Sequence, residues 1–156
     1  NTISKKDIFP RKKLSDNSYY VLKNSKKSAL IYHDSDEGNI CRIEKTSVSG
    51  ITPRNAEQAF AIHSLLNEKI PLVSINGVAG TGKTLLAVAA AISQRRNYKQ
   101  IFVARPIVPL GNKDIGYLPG DISSKINPYM EPLWDNFKSI QNQYSDLQRS
   151  LKFLKI

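Results

Sequence analysis

Between Ser18 and Lys45 the apolar positions fall into three short runs, Tyr19–Lys23, Ala29–His33 and Ile40–Lys45. Turn-forming residues at 24–28 and 34–39 separate them. Runs of that length, bounded in that way, predict a small antiparallel meander. Ser49-Gly50 punctuates its end. From Ile51 the period changes. Thr52-Pro53 reads as a helix start, a capping hydroxyl followed by proline at the first helical position. Ala59, Ile62, Leu65 and Leu66 then recur at helical spacing. Pro71 ends that pattern, and Leu72–Ile75 is an apolar run suited to a buried parallel strand. A glycine-rich turn leads into an Ala-rich helix over Lys83–Gln94, and Ile101–Ala104 reads as a second buried strand. Strand, loop, helix and strand in that order form the βαβ element of α/β folds.

Further on, residues 109–121 read as an ordered Gly/Pro-rich loop. Met130, Leu133, Trp134, Phe137 and Ile140 then share one helical face, with Pro132 positioned to kink it. Leu147, Leu151 and Leu154 continue a helical spacing. Residues 1–17 are polar and basic and read as a flexible arm or linker.

Composition narrows the possibilities. The chain has 156 residues, 40% of them hydrophobic and 23% charged, enough to bury a core of about one domain. A single cysteine, Cys41, excludes an internal disulfide framework and a Cys-rich zinc module. Leu85–Ile92 is the longest apolar stretch, far short of the roughly 18 residues of a membrane span. The expectation is a soluble, cytoplasmic protein without a membrane partner. The 23 Lys and Arg against 13 Asp and Glu give a net charge of +10, which favours a polyanionic partner such as nucleic acid, with an acidic membrane surface second. A basic surface that only confers solubility is the plain alternative.

The chemistry concentrates in Gly77-Val78-Ala79-Gly80-Thr81-Gly82-Lys83-Thr84, which matches GxxxxGK[ST] between an apolar run and a helix former. Glycines at 77, 80 and 82 allow positive φ and close approach to phosphate oxygens. Successive N–H groups form an anion nest backed by a helix N-terminus. Lys83, the candidate catalytic residue, supplies a point charge between the β- and γ-phosphates, and the Thr84 hydroxyl is the candidate Mg²⁺ ligand. ATP and Mg²⁺ are the expected ligands. A dinucleotide site fits poorly, because Gly80-Thr81-Gly82 lacks the third glycine of GxGxxG. Hydrolysis also calls for an acid at the end of an apolar strand. The acids after the loop, Asp114, Asp121, Glu131, Asp135 and Asp146, follow no apolar run.

Several segments together resemble one family, the PhoH-like ATPases. They are GITPRNAEQ at 50–58, GVAGTGKTLLAVAAA at 77–91, ARPIVPL at 104–110, GNKDIGYLPGD at 111–121 and KINPYMEPLWDN at 125–136. The P-loop is generic, whereas the other segments in combination are specific. Ile43-Glu44-Lys45 is similar to the connector in longer members that carry an upstream PIN-type ribonuclease domain.

The resemblance implies an α/β fold with the parallel sheet of a RecA/helicase-like P-loop NTPase, here partial and preceded by a small antiparallel β segment. It implies a basic arm over 1–17, a β-meander connector over 18–49, and the N-terminal part of the ATPase domain over 50–156, the chain being incomplete at both ends. The implied activity is RNA-directed ATP hydrolysis in a homo-oligomeric ring, with single-stranded RNA as partner. By position Gln58 would read adenine through its amide, and Arg105, with Lys113, would contact phosphate of ATP or RNA. The family's downstream metal-binding acid has no counterpart in the sequence. Two other readings therefore stay open, a nucleotide- or RNA-binding module without turnover and a P-loop kinase.

Smaller signals point in both directions. Tyr19, Tyr20 and Tyr32 lie on strands near basic residues, where they could stack single-stranded bases or simply satisfy β-propensity. Trp134 is expected in a core or subunit interface. His33 and His63 have no metal-ligand spacing around them and read as structural.

Overall fold

In the computed structural model, which describes residues 2–4, 8–9, 14–34, 38–104, 106, 122–143 and 154–155, the chain divides into two compact units. The first comprises Asn1–Ser47 with Thr52–Ile75, the second Val48–Ile51 with Asn76–Ile156. The division therefore does not fall at residue 50, and the predicted first helix belongs with the β segment.

The first unit holds a four-stranded antiparallel sheet of β1 (Thr2–Ser4), β2 (Ser18–Lys23), β3 (Ser28–Asp34) and β4 (Asn39–Ile43), in the order β1-β4-β3-β2. The three anticipated strands are present almost to the residue. The register pairs Tyr20 with Ile31 and Ile31 with Arg42, and one step along pairs Tyr19 with Tyr32 and Tyr32 with Cys41. Because side chains alternate across a sheet, these two rows lie on opposite faces. Leu14, Ile31 and Ile40 form a core on one face, with Ile8, Phe9, Tyr20 and Leu22 against them. The other face carries Tyr19 and Tyr32 toward α1 (Ala56–Leu66).

The expectation of a flexible arm over 1–17 needs correction here. Thr2–Ser4 pair with β4, and Leu14 is buried, because an edge strand satisfies backbone groups that water would otherwise have to satisfy and Leu14 has an apolar face to cover. The start of α1 is also corrected. It begins at Ala56 with Asn55 as its cap, not at Pro53. The Asn55 side chain accepts from the Gln58 backbone N–H at 2.8 Å, and Gln58 Oε1 accepts from the Arg54 N–H at 2.8 Å. This reciprocal arrangement satisfies two donors, which a threonine cap at position 52 could not do.

In the second unit, Val48 and Ile51 exchange both backbone hydrogen bonds at 2.9 Å around Ser49 and Gly50, whose φ values are +48° and +81°. That is the two-residue turn with positive φ at both centres. Ser49 Oγ donates to the Ala89 carbonyl at 2.9 Å, fixing the turn to α2 (Lys83–Ser93). α2 buries Leu86, Val88, Ala89, Ala90 and Ile92. It packs against α3 (Ile122–Gln143), whose Met130, Leu133, Phe137 and Ile140 are buried on one face as the spacing required. Trp134 is half-buried, its ring centroid 5.9 Å from that of Phe137. α3 runs unbroken through Pro132.

Two expected elements differ. Leu72–Ile75 forms no regular element and joins no ladder, and Leu72 is 85% exposed. The second expected strand contracts to β5 (Ile101–Phe102), which pairs in parallel with β6 (Leu154–Lys155). A parallel strand is stable only between neighbours that bury both its faces, and 72–75 has no strand partner among the described residues. The same pairing takes Leu154 out of the predicted helical spacing. The 109–121 loop and Leu147 and Leu151 lie outside the described residues. Among the described residues no helix is long and apolar enough to cross a membrane.

Candidate functional site

The glycine-rich segment forms an exposed loop that delivers the chain into α2. Gly80 and Gly82 have φ of +77° and +83°, the left-handed region in which a side chain is disfavoured. Gly82 is itself the cap of α2, and no side chain caps that helix end. The first intrahelical bond is from the Leu86 N–H to the Gly82 carbonyl at 2.9 Å. The N–H groups of Lys83, Thr84 and Leu85 therefore precede the helical ladder, and the positive end of the helix dipole faces the loop. No acidic residue occupies the first turn to neutralise it.

Lys83 folds back over this loop. Its Nζ donates to the carbonyls of Gly77 at 2.9 Å and Val78 at 2.7 Å, and lies 3.5 Å from Thr81 Oγ1. Thr81 Oγ1 donates to the Val78 carbonyl at 2.9 Å, and Asn76 Oδ1 accepts from the Gly77 N–H at 2.8 Å. A Cβ built on Gly77 would stand 3.4 Å from Thr81 Oγ1 and 3.9 Å from Lys83 Cδ. The loop thus wraps around the lysine stem. It gathers a cation, a run of small residues and a helix N-terminus in one exposed place, a combination that suits a multiply charged anion.

Thr84 is exposed in the first turn of α2 and borders a cavity of about 330 Å³ whose other walls include Ala87, Ala91, Phe102, Leu133 and Phe137. Those walls are apolar, so the cavity offers nothing to a phosphate. Among the described residues no cluster of His, Cys, Asp and Glu could hold a metal by itself. The Thr84 hydroxyl is compatible with a hard cation that takes its remaining ligands from phosphate and water.

The other expected residues separate into two groups. Arg105 and Lys113 lie outside the described residues, as do Asp114 and Asp121. Gln58 belongs to the first unit, where its side-chain oxygen serves the start of α1.

The tyrosines do not offer the open stacking platform that the sequence allowed. The Tyr19 ring lies 5.0 Å from Tyr32, 5.0 Å from Phe60 and 5.6 Å from His63, and Tyr20 packs on Phe9 at 5.7 Å. Aromatic side chains on a sheet covered by a helix gain more from mutual packing than from exposure. Tyr19 OH is hydrogen-bonded to His63 Nδ1 at 3.0 Å and to Ser64 Oγ at 2.7 Å. Burial raises the Tyr19 pKa and lowers that of His63. His33 Nδ1 donates to the Ser15 carbonyl at 3.0 Å. Both histidines are therefore engaged in packing and hydrogen bonding.

Residues 50–153 match the family model described as PhoH-like protein. The chain belongs to the PhoH-like protein family. It is 53% identical to Protein PhoH2 of Bacillus subtilis over 96 residues, 60% of this chain and 22% of that protein. Protein PhoH2 of Mycolicibacterium smegmatis is 40% identical over 96 residues, with the same shares covered. A PhoH-like protein of Bacillus subtilis is 36% identical over 120 residues, 74% of this chain and 36% of that protein. The chain thus spans about a fifth of the PhoH2 proteins it matches and about a third of the PhoH-like one. No solved structure matches it. Family membership supports a nucleotide-binding theme.

Proposed function

We propose that Gly77–Thr84 binds the phosphates of ATP, and that the protein acts as an ATPase directed to single-stranded RNA. The observation that carries the first part is the Lys83 ammonium, held among oxygens of a loop that opens onto an uncapped helix N-terminus. On binding, Lys83 would exchange its bonds to the Gly77 and Val78 carbonyls for phosphate oxygens. The backbone N–H groups at Gly80, Thr81, Gly82 and Lys83 would supply the nest, with Val78 and Ala79 in the loop beside them. Thr84 would hold Mg²⁺, which when bound supplies neutralising charge to phosphate oxygens. Gln58 would read adenine and Arg105 would meet phosphate.

RNA as partner is supported by the net charge of +10 and by the family. A homo-oligomeric ring and a cytoplasmic location are carried by the family resemblance alone. Binding without turnover is favoured by one observation, that no acid after the loop closes an apolar run. Direct ATP binding, measured beside ATP turnover with and without single-stranded RNA, separates these readings. RNA-stimulated turnover establishes the ATPase. Binding alone leaves the chain a nucleotide-binding module, and absence of binding removes the phosphate role of the loop.

A further inference from the structure

Between Glu68 and Asp114 the sequence contains no acidic residue but seven Lys and Arg. Three of them, Arg95, Arg96 and Lys99, cluster with Tyr98 just beyond the C-terminus of α2, at the end opposite the phosphate loop. The backbone there is folded into successive turns. The Gln94 N–H bonds the Ala90 carbonyl, the Arg95 N–H bonds Ile92 at 3.2 Å, and the Asn97 N–H bonds Gln94 at 2.8 Å. Arg95 is partly committed to the helix end, its guanidinium donating to the Ile92 carbonyl at 3.3 Å. That is the usual service of a cation at a helix C-terminus. Arg96, inside the last of these turns, and Lys99, two residues past it, are exposed and show no ion pair among the described residues. Tyr98 between them is 55% exposed.

We infer that this turn is a docking surface for single-stranded nucleic acid, with Arg96 and Lys99 on backbone phosphates and Tyr98 stacking on a base. Charge complementarity and an exposed aromatic ring between two cations, at and just past a hydrogen-bonded turn, are what such a strand requires. An anionic bilayer suits the turn less well. α2 buries its large apolar residues against its own unit and presents no apolar face for a membrane to take up. The inference deepens the RNA part of the proposed function and does not depend on the nucleotide loop.

The test is fluorescence anisotropy of the full chain with a labelled 12-mer oligouridylate, without nucleotide, across a salt series. Arg96→Ala/Lys99→Ala should flatten the slope of log affinity against log salt by about 1.4, two contacts at about 0.7 each. Tyr98→Ala should weaken binding by about 5- to 150-fold, and Tyr98→Phe should restore it. Binding of a fluorescent ATP analogue by the same variants shows that they remain folded, and reports on the nucleotide reading separately. The inference is overturned if the double variant keeps the parental salt slope, or if Tyr98→Ala binds as tightly as the parent. Binding to phosphatidylserine vesicles that depends on these residues, with no binding of oligouridylate, overturns it in favour of a membrane surface.

Discussion

Lys83 Nζ donates to the carbonyl oxygen of Val78 at 2.7 Å, a bond that reaches back across the loop from the first residue of α2. The ammonium is therefore already positioned over the backbone that would cradle a phosphate. The bond is at the surface, where water replaces a lost partner at little cost. Lys83→Ala should leave the free energy of unfolding within about 0.5 kcal/mol of the parent. Affinity for a fluorescent ATP analogue should fall by about 10- to 100-fold, the usual worth of a hydrogen bond to a charged group. Titration of the analogue and urea denaturation, done on one preparation, check both halves.

Gly80 offers a cleaner test of backbone geometry. A Cβ there would meet nothing within 4 Å, so the cost of Gly80→Ala comes from its φ of +77° alone. Holding an L-residue in that region costs about 1–2 kcal/mol. Gly38 has a φ of +63° and equally open space, but sits in the first unit, on the turn before β4. Both substitutions should lower stability by similar amounts. Only Gly80→Ala should weaken nucleotide binding, because relief of its strain reshapes the phosphate loop. Equal nucleotide affinity in the two variants would count against the loop.

What could be read from the sequence follows from how local each signal is. β2, β3 and β4 were legible because each is a short apolar run closed by turn-forming residues at 24–28 or 34–39, a signal written in and beside each run. Thr2–Ser4 was not, since three residues carry no period and their pairing with Asn39–Cys41 is remote in sequence. Leu72–Ile75 shows the converse. Three apolar residues in four look like a buried strand, but a strand is defined by its neighbours, and burial cannot be read from hydrophobicity alone. The backbone of the Gly77–Thr84 loop was legible, because the glycines at 80 and 82 mark the positions of positive φ directly. The engagement of Lys83 with the loop's own carbonyls was not, because it depends on how the side chain folds back.

His63 gives the first unit a dependence on pH. Burial lowers its pKa below the ordinary value of 6.5, so the folded state binds fewer protons than the unfolded chain as pH falls. Stability rises with pH wherever the unfolded state binds more protons. The contribution is therefore fully present above about pH 6.5, and is lost as pH falls through the depressed folded value. Protonation would also oppose the hydrogen bond that joins His63 Nδ1 to Tyr19 OH, if Nδ1 is the acceptor of that bond. Urea denaturation between pH 5 and pH 8, followed by tyrosine fluorescence, should show this loss. His63→Gln should flatten it. An unchanged slope in the variant would place the acid sensitivity elsewhere.

Gln58 has an observed role at the start of α1 and a proposed one at the nucleobase, and one substitution separates them. Its Oε1 accepts from the Arg54 N–H while Asn55 accepts from the Gln58 N–H, so the pair starts α1. Asn55→Ala should cost about 1 kcal/mol, the ordinary worth of a helix cap. Gln58→Glu keeps the acceptor oxygen, and glutamate serves this position as well as glutamine does. Stability should therefore be retained. The amide donor is lost, however, and an adenine edge read by that amide would lose its partner. The expected result is unchanged unfolding, ATP affinity that drops about tenfold, one hydrogen bond's worth, and unchanged affinity for inorganic triphosphate. Unchanged ATP affinity would confine Gln58 to the start of α1, and equal losses for ATP and triphosphate would trace the effect to the charge that glutamate adds.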